Sequence, residues 1–144
     1  METPRHIRYA DVVTKVEISR EALAAIKAHA ATDPEHEVCG LLLGSGDRIT
    51  AAAPARNIAD DPRRRFEIDP TALFKALRRE RAGGPGVLGY YHSHPHGPAL
   101  PSATDQAMAE PNGKLWLIVG GAEVRAWRAG ARGFEEVELS PSWR

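Results

Sequence analysis

The chain has 144 residues, 42% hydrophobic and 26% charged, ordinary proportions for one globular domain over residues 1–144 and poor ones for a disordered or fibrous protein. Nineteen Lys+Arg balance nineteen Asp+Glu, so the net basic charge with which nucleic-acid binders neutralise phosphates is missing. The opening METPRHIRYADVVTK lacks the apolar core of a secretory signal, and no stretch approaches the roughly 20 apolar residues that cross a bilayer. With Cys39 as the single cysteine, the sequence points to a cytoplasmic protein without disulfides or membrane contact.

In chain order, VVTKVEIS (12–19) alternates and is β-branched, which predicts a strand, and Ser19 can cap the helix after it. Leu23, Ile26 and Ala30 share one stripe of that helix, which Asp33-Pro34 ends. EVCGLLLG and RITAAAPA, joined through Ser45-Gly46-Asp47, read as a β-hairpin. Residues 54–63 form an extended connection into a short strand, RRFEI (64–68). Asp69-Pro70 then sets a cap before a proline at the first helical position. Leu73, Phe74 and Leu77 are the expected buried side of this second helix, and Gly83-Gly84-Pro85-Gly86 stops it.

GVLGYYHSH (86–94) predicts a buried strand that breaks off at the proline-rich PHGPALP, where Ser102 opens a short helix to about Ala109. LWLIVGG, AEVRAWRA and FEEVEL close the chain as three strands. This order gives an α/β fold with a mixed sheet. Arg63-Arg64-Arg65 and Arg78-Arg79 with Arg81 read as solvated surface.

Three of the six histidines crowd into His92-Ser93-His94-Pro95-His96. Strand side chains alternate, so His92 and His94 leave one face roughly 6.5–7 Å apart, close enough to converge on an ion. Seven residues later Ser102 begins S-x-x-D, which returns Asp105 toward the pair. Two imidazoles and one carboxylate are the three protein ligands of an open catalytic zinc. Glu37, at the mouth of an apolar strand, is the candidate proton carrier, because partial desolvation raises a carboxyl pKa toward neutrality. Ser102 could donate to the oxyanion formed when water attacks a carbonyl.

Glu37 upstream of His92-x-His94, seven residues, Ser102-x-x-Asp105 resembles the motif of the JAMM, or MPN-plus, zinc peptidases with no departure in spacing. The E-x-C-G-L-L-x-G context of Glu37, and Asn57 with Phe66-Glu67-Ile68-Asp69-Pro70, are similar to small prokaryotic members. The resemblance implies a three-layer MPN, cytidine-deaminase-like arrangement, with helices flanking a mixed sheet. It also implies one zinc per chain and Glu37-assisted attack of zinc-activated water on a peptide or isopeptide bond. The implied partner is a ubiquitin-like or sulfur-carrier protein cut after its Gly-Gly tail.

Two other classes compete. A RadC-like DNA-associated protein shares H-x-H-P and P-S-x-x-D, but the neutral charge and the E-x-C-G strand oppose it. A non-catalytic MPN scaffold would have lost metal ligands that this chain keeps. Of the remaining residues, His96 is expected at the rim, and Cys39 in packing. Ser93 should hydrogen-bond locally and Asn57 should form a turn. Tyr90 should pack beneath the metal and Tyr91 point away. Trp116, Trp127 and Trp143 suit core or interface.

Overall fold

The computed structural model describes residues 15–142, so positions 12–14 of the first expected strand, and Trp143, lie outside the described residues. Within them the chain runs β1 (Lys15–Ile18), α1 (Arg20–Ala31), β2 (Cys39–Ser45), β3 (Arg48–Ala55), α2 (Pro70–Arg81), β4 (Gly86–His94), α3 (Ala103–Met108), β5 (Leu115–Gly120), β6 (Glu123–Gly130) and β7 (Gly133–Pro141).

The caps form where the sequence places them. Ser19 is extended and its side chain accepts from the Ala22 amide, while Asp69 accepts from the Thr71 amide one residue before Pro70. Such side chains satisfy amides that a helix N-terminus leaves without partners. The β2–β3 hairpin turns at Gly46, whose φ of 59° is left-handed, a region that glycine enters without steric cost.

The strands follow the order β1-β3-β2-β4-β5-β6-β7, and β1 also pairs in parallel with β7, so the ladder closes on itself. β4 with β5 and β1 with β3 are parallel, and the remaining pairs are antiparallel. One face buries Val16, Ile18, Leu42, Tyr91 and Leu117 against Ile26 of α1. The opposite face sets Leu41 and Val87 against Leu73, Ala76 and Leu77 of α2. The result is the expected mixed sheet with a helix on each side, because residues one apart on a strand serve opposite faces.

Two local expectations fail. Residues 64–68 make no strand; they contribute a single bridge, Asn57 to Ile68. The Arg64 and Arg65 amides instead donate to the Asp61 carbonyl, which coils the segment into a turn. Phe74 is 62% exposed, because α2 faces the sheet through Leu73, Ala76 and Leu77 at i, i+3 and i+4 and carries Phe74 about 100° away.

Candidate metal centre

β4 runs between β2 and β5, with His92 opposite Cys39 and Ile118, and His94 opposite Gly120. His92 is fully buried. After His94 the proline-rich loop folds back across the end of β5. It lies so close that a Cβ on Gly120 would sit 2.4 Å from the Ala99 nitrogen, and only glycine admits that approach. Trp127 Nε1–H donates to the Ala99 carbonyl at 3.2 Å, and His94 Nδ1 lies 2.8 Å from the Pro98 carbonyl. A carbonyl can only accept, so Nδ1 carries a proton, and Nε2 is the nitrogen that an ion would take.

The loop ends at Ser102, the N-cap of α3. Ser102 Oγ accepts from the Asp105 amide and the Ser102 amide donates to Asp105 Oδ2, both at 3.0 Å, a complete capping box. The box fixes the Asp105 side chain. Asp105 Oδ2 stands 3.2 Å from His92 Nε2 and 3.1 Å from His94 Nε2, and the two Nε2 atoms are 3.1 Å apart. Phe66 stacks on the His92 ring, centroids 4.3 Å apart, and Trp116 meets it edge-on.

Glu37 lies two residues before β2 and is 4% exposed. Its amide donates to the Pro62 carbonyl at 2.7 Å and its carbonyl accepts from Asn57 Nδ2 at 2.9 Å. The next residue, Val38, donates to Ser93 Oγ on β4 at 2.9 Å. One ligand atom from each of Glu37, His92 and His94 lies within 4.8 Å of the others, yet among the described residues the buried Glu37 Oε1 has no hydrogen-bond partner.

Burial, reinforced by the charge of Asp105 and opposed by His94, pushes the Glu37 carboxyl up to about 8. For Asp105 burial also opposes ionisation, but bonds with both imidazoles and the Ser102 amide outweigh it and hold the carboxyl well below the usual range. Burial lowers the pKa of His92. At His94 burial acts the same way, but Asp105 and the Pro98 carbonyl overcome it and raise the pKa. The centre thus offers one carboxylate that stays charged and another that can hold a proton near neutrality.

Two imidazole nitrogens and a carboxylate oxygen only 3.1–3.2 Å apart have nearly the roughly 3.3 Å spacing of ligands about 2.0–2.1 Å from one tetrahedral ion. Zinc would take His94 through Nε2 as a neutral imidazole, since Nδ1 is held by the Pro98 carbonyl, and Asp105 as the anion it already is. The donor set fits zinc.

All five residues selected from the sequence, Glu37, His92, His94, Ser102 and Asp105, therefore border one site. His96 is exposed on the same groove as Glu37, His94 and Ser102. Cys39 is buried, and desolvation first, then the Glu37 charge, pushes its thiol up to about 12, so it packs and does not attack. Ser93 bonds across strands to Val38, not locally. Tyr90 shares an apolar cluster with Phe66 and Trp116, while Tyr91 enters the main core and its hydroxyl meets His29 Nδ1 at 2.7 Å. The ring directly against His92 is Phe66, which the sequence left unassigned; its place in RRFEI gave no periodic signal.

A mixed sheet flanked by helices, with H-x-H at the end of one strand and S-x-x-D capping the next helix, defines the MPN class of hydrolase. The chain belongs to the prokaryotic homologues of the JAB domain, which residues 19–130 match. It is 38% identical over 111 residues to the desampylase of Haloferax volcanii, an alignment covering 73% of this chain and 80% of that protein. It is 36% identical over 111 residues to a probable TtuB-protein conjugate cleaving protease of Thermus thermophilus, covering 76% and 73%. A solved JAMM structure, described as a metalloprotease-like zinc site in the proteasome and signalosome, superposes with a TM-score of 0.59 at 25% identity, covering 90% of this chain and 99% of that one.

Proposed function

We propose that this chain is a zinc-dependent peptidase that hydrolyses the bond after the C-terminal glycine of a ubiquitin-like or sulfur-carrier protein joined to another molecule. The observation that carries the reading is the triangle of His92 Nε2, His94 Nε2 and Asp105 Oδ2 beside a buried, unpartnered Glu37 carboxylate oxygen. The names of the relatives, a desampylase in Haloferax and a probable TtuB-protein conjugate cleaving protease in Thermus, support the substrate class. The activity is assigned to a single domain acting in the cytoplasm, a setting that suits the free Cys39.

His92, His94 and Asp105 would hold the ion, one per chain. Bound there, zinc supplies Lewis acidity that polarises a carbonyl and makes water a better nucleophile. Glu37, whose pKa lies near the working range, accepts the proton that the attacking water loses. Water oxygen bonds to the carbonyl carbon, the C–N bond breaks, and Glu37 returns its proton to the departing amine. The Ser102 hydroxyl keeps its hydrogen free, since Oγ accepts from the Asp105 amide, and it donates to the carbonyl oxygen as negative charge develops. Glycine before the scissile bond lets the substrate backbone approach the crowded centre.

The test is to incubate zinc-loaded protein with Gly-Gly-X fusions and matched Val-Val-X controls and to read products by mass spectrometry. Cleavage confined to the glycine series and abolished by chelation is expected. Equal cleavage of both series would refute the tail specificity.

A further inference from the structure

Asn57 has every side-chain hydrogen-bonding direction toward this region engaged. Nδ2 donates to the Glu37 carbonyl at 2.9 Å and to the Arg65 carbonyl at 3.0 Å. Oδ1 accepts from the Ala59 and Glu67 amides, each at 3.0 Å. The loop that these bonds close, residues 58–67, has no regular secondary structure of its own. The Ala59 contact is an ordinary Asx turn, but the bonds to Glu37 and Arg65 span 20 and 8 residues and exceed what a turn requires. The same loop returns the Pro62 carbonyl to the Glu37 amide. Both backbone polar groups of Glu37 are therefore bonded to the Asn57 loop, at a point where the chain is not yet in β2. The side chain that these bonds aim is a buried carboxylate whose Oε1 has no hydrogen-bond partner among the described residues.

We infer that Asn57 is a positioning residue for Glu37: it fastens the 58–67 loop to the Glu37 backbone and so fixes where the carboxylate meets the reacting water. The inference rests on the proposed role of Glu37. Proton carriers tolerate little displacement, since a misplacement of about 1 Å can cost on the order of a hundredfold in rate. Asn57 makes no hydrogen bond to His92, His94 or Asp105; its loop reaches the metal ligands through Phe66, whose stack on His92 the backbone bridge of Asn57 to Ile68 still supports.

Two variants separate the possibilities. Asn57→Ala removes all four bonds. Asn57→Asp keeps an oxygen for the Ala59 and Glu67 amides, so the loop stays closed, but loses both donations and turns an acceptor toward the Glu37 carbonyl. Both are expected to retain zinc at the wild-type ratio and to lose kcat by about 10–100-fold, with KM changed less than about threefold. Exchange of the Glu37 amide, followed by NMR, is expected to rise about tenfold or more in both, because without the Nδ2 bond the Glu37 segment is no longer tied to the loop that carries its partner carbonyl. A KM rise at unchanged kcat would reassign Asn57 to substrate binding. Wild-type kcat and wild-type exchange in Asn57→Asp would overturn the inference. If the wild-type protein itself cleaves no Gly-Gly conjugate, the substrate reading falls, and the exchange of the Glu37 amide alone decides for or against the tie.

Discussion

Glu37 is 4% exposed and its Oε1 has no partner among the described residues, an arrangement costly to a fold unless something makes use of it. Asp105 is nearly as buried, at 2%, but it is bonded to two imidazoles and a backbone amide. This contrast separates two acids in one site: the bonded one keeps its charge, and the isolated one can carry a proton. Replacing Asp105 with Ala should therefore lower zinc occupancy, measurable by elemental analysis after dialysis. Ser102→Ala should retain zinc and lose about 10²–10³-fold in kcat, the usual cost of one oxyanion donor. A Ser102→Ala enzyme with full activity would leave Ser102 as a helix cap alone.

At the scale of elements, the site depends on how closely the loop after β4 can lie on β5. Gly120→Ala places a Cβ 2.4 Å from the Ala99 nitrogen and 2.5 Å from the Pro98 carbonyl carbon. Both are backbone atoms that cannot rotate away. The loop must shift, and with it the Pro98 carbonyl that fixes the His94 tautomer. We expect a loss of about 1–3 kcal/mol in stability, measured by urea unfolding, together with weaker zinc binding. A variant as stable as wild type would mean that the loop has slack. The same elements show what a linear reading captures. The H-x-H pair and the S-x-x-D cap were legible because strand alternation and capping are local rules. The Phe66–His92 stack and the Asn57 bonds to Glu37 depend on a loop folding back over tens of residues, which no periodicity records. Residues 64–68 had strand composition, but the Asp61 turn and the Asn57 side chain claimed their backbone groups. Phe74 fitted an apolar stripe on paper, yet α2 meets the sheet through Leu73, Ala76 and Leu77. The closure of β7 onto β1 was likewise invisible, since it joins the two ends of the described chain.

Across the whole molecule, these two acids impose opposite pH dependences on the metal-free protein. Glu37 holds a proton in the fold up to about 8 against an ordinary 4.5. The native state therefore binds more protons between those values, and stability falls as pH rises through that window. Asp105 is depressed below its ordinary 3.8, so its contribution is present above that value and is lost as pH falls below it. Thermal unfolding in the presence of chelator should thus show Glu37→Gln gaining on wild type from pH 5 to pH 8, by an amount on the order of a few kcal/mol at the upper end. Curves that stay parallel across that range would contradict the burial argument.

The most direct test of the central claim is the zinc content of the Glu37→Gln variant, measured per chain on the same sample whose hydrolysis of a Gly-Gly fusion is followed. If His92, His94 and Asp105 hold the ion and Glu37 carries the proton, the variant keeps about one zinc and loses about 10²–10⁴-fold in rate. A variant that loses its zinc, or that keeps it and turns over at the wild-type rate, would contradict the account.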